Sequence, residues 1–376
     1  MTAVPKVGFV FEQALGHVTH AHNVRAVITS DPSISAIWCP IPFEVNGLAA
    51  RMPLFKSNWT VRAGVRARRA IRHAHRAGGL DALFVHTQVP AVLATDWLRR
   101  LPSVISIDAT PVQYDALGDF YNHEPSHPRI EKFKFEANKR CFDQASAMVS
   151  WSAWAKASLV VDYGVPADKI TVIPPGVWFD QWSRPDGEPP EDGVIRLLFV
   201  GADFERKGGA TLLSAFRKLR TQVGAGAANR PTVELHLVTK SPVMEEAGVH
   251  VYADLSPNSP ELLQLYKYCH VFCLPTRADM LALALCEAGA AGLALVSTFV
   301  GGIPEIVLEG ETGLLVPPDN VDALTAALGR LVDEPELRRR LGSNAANTVA
   351  ARFDARKNAR RLVVLLHSVV AVRAEV

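Results

Sequence analysis

Asp279 and Glu287 stand eight positions apart in the run TRADMLALALCEAG, and no residue between them carries a charge. A carboxylate in so apolar a setting is costly unless something hydrogen-bonds it, so the spacing asks for a ligand or a polar partner. Asp279 follows the strand-like VFCLP, and parallel sheets bind ligands at the carboxyl ends of their strands. A helix beginning near Met280 or Leu281 would aim its free N–H groups and positive dipole end at that edge, which suits a phosphate or diphosphate. Glu287 would then lie two turns along, roughly 12 Å from Asp279 at ~1.5 Å per residue. A ligand with a diphosphate in its middle and hydroxyl-bearing groups at both ends fits this layout, as a nucleotide sugar does. The plainer alternative is a helix-terminal charge plus a carboxylate satisfied by backbone.

The segment LLFVGADFERKGG ends a strand, turns through glycine and delivers Arg206 and Lys207 just before a helical pattern, ATLLSAFRKL. A guanidinium beside an ammonium combines bidentate and point-charge contacts to a diphosphate. Such a pair would take the place of a divalent metal at the leaving group. The alternative is a solvated basic turn. Cys269, His270 and Cys273 cluster in CHVFC, but inside an apolar stretch, where buried thiols are a simpler reading than a metal site.

These residues need elements to hold them. With 376 residues, the chain exceeds the size at which one core keeps growing, so two domains are expected. A net charge of +2 gives no whole-chain sign of a nucleic-acid binder. Five cysteines without a CxxC, and a start, MTAVPKVGFVF, without signal-peptide regions, suit a cytoplasmic location. KVGFVF, AIWCPI, DALFVH, SVISID, AMVSW and ITVIP read as buried strands in the first half, and LLFVG, VELHLV, VFCLP and LALVST in the second. Helical patterns separate them, which implies an α/β protein with two Rossmann-like domains and parallel sheets. The apolar run from Met280 to Val296 reads as a buried helix and strand, because Glu287 and the glycines interrupt it. The Pro- and Gly-rich residues 174 to 193 mark the linker, and the segment from Asp354 to Val376 reads as a helix with apolar Leu362, Leu365, Leu366 and Val369.

VGxxxxRKG, the stretch LPTRADMLALALCEAGAAGLALVST and GGIPEIVLEGETGLLVPP together resemble the donor domain of the group 1 (family four) retaining glycosyltransferases of GT-B fold. FEQALGHVTHAHNVRAV, DALFVHTQ and VIPPGV are similar to the first Gly-rich loop and helix, the strand before the active-site histidine, and the interdomain link of that family. The resemblance implies an acceptor domain over 1–180, a nucleotide-sugar domain over 181–355 facing it across a cleft, and a helix over 356–376 crossing back to the first. It implies transfer of a hexose, with retention, from a nucleoside diphosphate sugar, UDP being the commonest base in the family and GDP an option. The acceptor would be a glycan, a lipid-linked sugar or a small molecule, and no cofactor or metal is expected. By the same matching, His86, Arg206, Lys207 and Asp279 are the catalytic candidates. Gly16, Arg206, Lys207, Asp279, Met280, Leu281, Ala282, Leu283 and Glu287 are those for donor binding. Met280-Leu281-Ala282 replaces the family's Gly-Phe-Gly, and Asp279 is one methylene shorter than its usual Glu. A silent nucleotide-sugar binder or a nucleotide-sugar epimerase of the same fold are the alternatives.

On the acceptor side, His17, Asp108, Thr110 and Tyr114 fall near strand ends of the first half. Residues 61 to 79 carry six arginines, two histidines and no acid. On a helix Arg62, Arg66, Arg69, His73 and Arg76 share one face, so a basic exposed side is expected, which with Phe55 and Trp59 would hold an anionic acceptor or a peripheral anionic membrane.

Overall fold

The computed structural model describes residues 4–13, 17–44, 58–120, 126–184, 189–224 and 231–374. Each apolar run named above forms a strand. In the first half these are β1 (Lys6–Gln13), β2 (Ser35–Pro42), β3 (Ala82–His86), β4 (Ser103–Ile107), β5 (Ala147–Ser150) and β6 (Ile170–Val172). In the second they are β7 (Val194–Val200), β8 (Thr232–Val238), β10 (Val271–Leu274) and β11 (Ala294–Thr298), joined by β9 (Val249–Tyr252) and β12 (Gly313–Val316). All pairings are parallel, in sheet orders β2-β1-β3-β4-β5-β6 and β12-β11-β10-β7-β8-β9.

Two compact units result: Met1–Pro175 with Ala355–Val376, and Gly176–Asp354. In the first, the sheet is covered on both faces. One face packs Ala63, Ala67 and Ile71 of the helix Trp59–Gly78 against Leu83, Val85 and Ile105. The other packs Leu362, Val363, Leu366 and Val369 of the last helix, Ala355–Ala374, against Val7, Phe9 and Phe84. Two-sided burial explains why these strands read as continuous apolar runs.

Each sheet has a switch point, where successive crossovers leave in opposite directions and a crevice opens at the carboxyl edge. It lies between β1 and β3 in the first unit and between β7 and β10 in the second. The long apolar run is resolved into the helix Leu283–Ala290 and strand β11. Among the described residues no helix is long and apolar enough to cross a membrane.

The basic helix departs from its expected facing. Arg62 is only 4% exposed, with its guanidinium over the Trp59 and Phe43 rings at 5.0 and 5.4 Å. Arg66 donates to the carbonyls of Pro42 and Glu44. The buried stripe of this helix is built of small residues, so it sits close to the sheet and draws the flanking row under. Arg69, His73 and Arg76 are exposed as expected, and Arg68 and Arg72 join them in place of Arg62 and Arg66. Trp59 is partly buried and bonds Glu12 at 3.2 Å; Phe55 lies outside the described residues.

Candidate active site

The second switch point brings together the residues expected at a diphosphate. Lys207 reaches the Asp279 carboxylate from the loop after β7, and Asp279, on the loop after β10, is 8% exposed. Arg206 braces the two loops rather than standing free. Its Nη1 donates to the Ala278 carbonyl at 2.9 Å and its Nε meets Asp203 at 3.0 Å. Its own carbonyl accepts from Arg277 N–H at 2.9 Å and Thr276 Oγ1 at 3.2 Å. Two glycines permit this closeness. A Cβ on Gly208, at φ +76°, would come within 1.9 Å of the Pro275 carbonyl oxygen, and one on Gly301, at φ +56°, within 2.1 Å of that of Asp279.

The helix starts at Leu283, two residues later than expected, and no side chain caps it. The reason is that the Met280 carbonyl is drawn off to Gly302 N–H at 2.8 Å, while Met280, Leu281 and Ala282 are buried in the loop. The N–H groups of its first turn thus emerge just after the Lys207–Asp279 pair. Glu287, one turn in and half-buried, accepts a hydrogen bond from Tyr266 Oη at 3.1 Å. Burial raises its pKa to about 7, against the pull of that hydrogen bond. The CHVFC cysteines are buried free thiols, and burial pushes Cys269 up to about 12.

At the first switch point an imidazole stands between two carboxylates. His17, at the start of the helix His17–Ile28, contacts Glu12 Oε1 through Nδ1 at 2.6 Å and Asp108 Oδ2 through Nε2 at 3.2 Å. Glu12, the next-to-last residue of β1, is fixed further by Thr87 Oγ1 at 3.1 Å and Trp59 Nε1 at 3.2 Å. Burial opposes charge on His17, but Asp108 and Glu12 outweigh it and raise its pKa to about 10. The imidazolium in turn lowers Asp108, again against burial. His86 ends β3 and is 0% exposed, stacked on Trp151 at 5.2 Å and edge-on to His17 at 4.7 Å. Burial, then His17 and His20, hold His86 well below the usual imidazole range. It is a neutral wall beneath the charged His17, not a group standing out at the edge.

Thr110 is occupied in capping the helix Pro111–Ala116 with Gln113, and it bonds Ser158 at 2.6 Å. Tyr114, on that helix, is 36% exposed. Gly16 lies outside the described residues. Glu12, His20, Trp151 and Tyr266 escaped the sequence reading. A lone acid at the end of the apolar KVGFVFEQ was the available signal for Glu12.

Two doubly covered parallel units, each with charge gathered at its switch point, make a GT-B architecture. The same fold is seen in sucrose-phosphate synthase from Thermosynechococcus elongatus, with a TM-score of 0.71 at 17% identity over 98% of this chain and all of that one. It recurs in Anabaena HepE in complex with UDP-glucose, with a TM-score of 0.67 at 16% identity over 97% and 100%. The chain belongs to the group 1 glycosyltransferases: residues 180–348 match "Glycosyl transferases group 1" and residues 9–181 match "Glycosyltransferase Family 4". Among curated relatives, an MMP alpha-(1->4)-mannosyltransferase of Mycolicibacterium hassiacum is 30% identical over 63% of this chain. A D-inositol 3-phosphate glycosyltransferase of Pseudarthrobacter chlorophenolicus is 28% identical over 55%. The matched parts span 57% and 52% of those relatives' own lengths.

Two outcomes follow from the electrostatics. Replacing His17 by Gln leaves two carboxylates buried without their cation, and should destabilise the first unit by about 3 kcal/mol. Because the folded pKa is raised, the stability His17 contributes is full below pH 6.5 and is lost as pH rises towards about 10. Urea titrations across that window should show a decline in the parent chain and a flat profile in the variant; matching profiles would refute the assignment. Glu287 has the opposite sign. An acid with a raised folded pKa loses stability as pH climbs from 4.5 through about 7. Glu287→Gln should therefore stabilise the ligand-free chain above that range by roughly 1–3 kcal/mol, the low end applying because the group still meets solvent. No gain in alkaline melting temperature would show that the carboxylate carries no such penalty.

Proposed function

We propose that the chain transfers a hexose from a nucleoside diphosphate sugar to an acceptor hydroxyl, with retention at the anomeric carbon. The single observation that carries this reading is the grouping of Lys207, Asp279 and Glu287 around the uncapped start of the helix Leu283–Ala290. In this reading the diphosphate takes the Lys207 ammonium and the N–H groups of the first helical turn. Asp279, released from Lys207, accepts from the sugar hydroxyls. Glu287 accepts from the ribose, and deprotonates to do so. Arg206 holds the loop in place. As the glycosidic bond breaks, Lys207 and the helix terminus stabilise charge growing on the departing diphosphate. These groups supply the positive charge that a divalent metal would otherwise bring to this step. UDP is the favoured base, in keeping with the UDP-glucose complex of the Anabaena neighbour.

The first unit supplies the acceptor side. Asp108 keeps 21% of its side chain exposed while its other face meets His17, so it suits a hydroxyl as a hydrogen-bond acceptor. Its lowered pKa makes it an orienting group rather than a base that removes a proton. The exposed Arg69, Arg72, His73 and Arg76 continue onto the helix Thr95–Arg100 through the Arg68–Asp96 ion pair at 3.0 Å and the His75–Trp97 ring contact. That helix adds exposed Arg99 and Arg100, and the combined surface fits an anionic membrane.

Lys207→Ala or Glu287→Ala should reduce turnover of a UDP-hexose at least ~100-fold, since one lost charge contact of this kind costs a few kcal/mol. Near-parental rates in either variant would sink the donor assignment, and nucleotide binding without any turnover in the parent would favour a silent binder. For the basic surface, sedimentation with vesicles should require acidic lipid, and equal recovery with neutral lipid removes the idea.

A further inference from the structure

Away from the donor edge, β8 and β9 gather three side chains of another character. Glu234 and His236 are two apart on β8 and so face the same side of the sheet. His250 of β9 pairs in register with His236. Each of the three offers one ligand atom within 4.8 Å of the others, and the two imidazoles lie 4.9 Å apart at an interplanar angle of 23°.

His236 is 4% exposed, and its Nε2 is buried without a hydrogen bond in the protein. Glu234 Oε2, at 3.7 Å, is near it but not bonded to it. The other nitrogen, Nδ1, is matched to Tyr252 Oη at 3.0 Å. With the proton on Nδ1 donated to that oxygen, Nε2 carries a bare lone pair on the side of Glu234. This is the arrangement in which a protein sets the tautomer of a metal-binding histidine. Arg196 lies 3.5 Å from Glu234 and holds that carboxylate over the cluster. His250 is exposed and gives an ion a way in.

We propose that Glu234, His236 and His250 bind a divalent transition metal, Zn2+ before others, through two imidazoles and one carboxylate with a fourth position left to water. Two nitrogens and one carboxylate oxygen suit Zn2+, Co2+ or Ni2+, whereas Mg2+ and Ca2+ prefer all-oxygen sets. Around a tetrahedral Zn2+ the ligand atoms stand roughly 3.4 Å apart, so the cluster needs a closure of about 1 Å, which the exposed His250 can make by a side-chain rotation. Glu234 pairs with Arg196 near the start of β7, whereas the Lys207 loop follows its other end. The ion would therefore clip the edge strand β9 to β8 and leave transfer chemistry alone.

The test uses the full chain stripped with EDTA. Zn2+ should raise the melting temperature by about 5 °C or more at a hundredfold excess over Kd, and Co2+ should give the visible d–d absorption of a tetrahedral site. His250→Ala, at an exposed position, should fold normally and lose both signals. Tyr252→Phe, which removes only the group that sets the His236 tautomer, should weaken Zn2+ binding about 10- to 100-fold. An equal thermal shift in His250→Ala would place the ion on other histidines, and absence of the Co2+ band in the parent would mean no tetrahedral site; either result overturns the proposal.

Discussion

The geometry of the second switch point rests on the near-contact of two backbones, Gly208 against Pro275. A left-handed residue with no Cβ is the only kind that fits there, and from it the rest follows in order. Lys207 precedes Gly208, so closing the loop onto the end of β10 carries its ammonium to Asp279. Arg206 precedes Lys207, so its carbonyl falls where Thr276 and Arg277 can bond it. Gly301 presses from the other side on the Asp279 carbonyl. The segment from Pro275 to Ala282 has no regular structure, yet it is held between two glycine turns and presents its charges without depending on a helix or strand of its own.

The two switch points handle buried charge differently, and the difference bears on their roles. In the first unit one cation is shared by two acids. Glu12, His17 and Asp108 compensate one another internally, and Thr87 and Trp59 occupy Glu12 further. Such a set is costly to break and suits a fixed framework that orients a neutral hydroxyl through the exposed side of Asp108. The second unit has a simple pair, Lys207 with Asp279, that can part when an anion arrives. Glu287 goes further: among the described residues its carboxylate meets a tyrosine hydroxyl and no cation, and burial holds its pKa up. A carboxylate kept at such a penalty in the free protein gains from ligand hydroxyls, which is how a site trades stability for binding.

The fold was legible because two-sided burial writes each central strand as an unbroken apolar run. The strands that were missed lie at sheet edges. β9 is the short VHVY, in which His250 and Tyr252 interrupt the apolar signal, and β12 is a four-residue GLLV behind a glycine turn. At the second switch point the placing of Lys207, Asp279 and Glu287 on two loops and a following helix was legible because the chain order prescribes it, whereas Arg206, expected at a diphosphate, braces the loops. The acceptor side was less so. His86, Thr110 and Trp59 were read as groups open to ligand, and the structure employs them as a buried ring, a helix cap and a partner for Glu12. The duties of His86 and Trp59 come from residues dozens of positions away, and no local pattern encodes them, whereas Thr110 with Gln113 three positions on forms a local capping box that the sequence reading passed over. The basic helix was misread by one row, because a stripe of alanines lets it settle deeper than larger side chains would.

In the proposed reading the Met280-Leu281-Ala282 loop is a phosphate-facing turn that does without glycines of its own. A glycine loop frees backbone N–H groups by conformational freedom, at an entropic cost when the loop must order on binding. Here the same stretch is fixed by burial of its three side chains and by the hydrogen bond from Gly302 to Met280. A glycine is required on the opposing turn, where Gly301 makes room for the Asp279 carbonyl. Ala282 cannot cap with its side chain, and its carbonyl takes the Leu285 N–H at 3.0 Å, so in the proposed reading an anion would meet the N–H groups of Leu283 and Ala284. A stiffer loop pays less on ordering and adapts less to the shape of its ligand. If the proposed donor site is right, the replacement bears on which sugar is accommodated beside Asp279 more than on whether a diphosphate can be held.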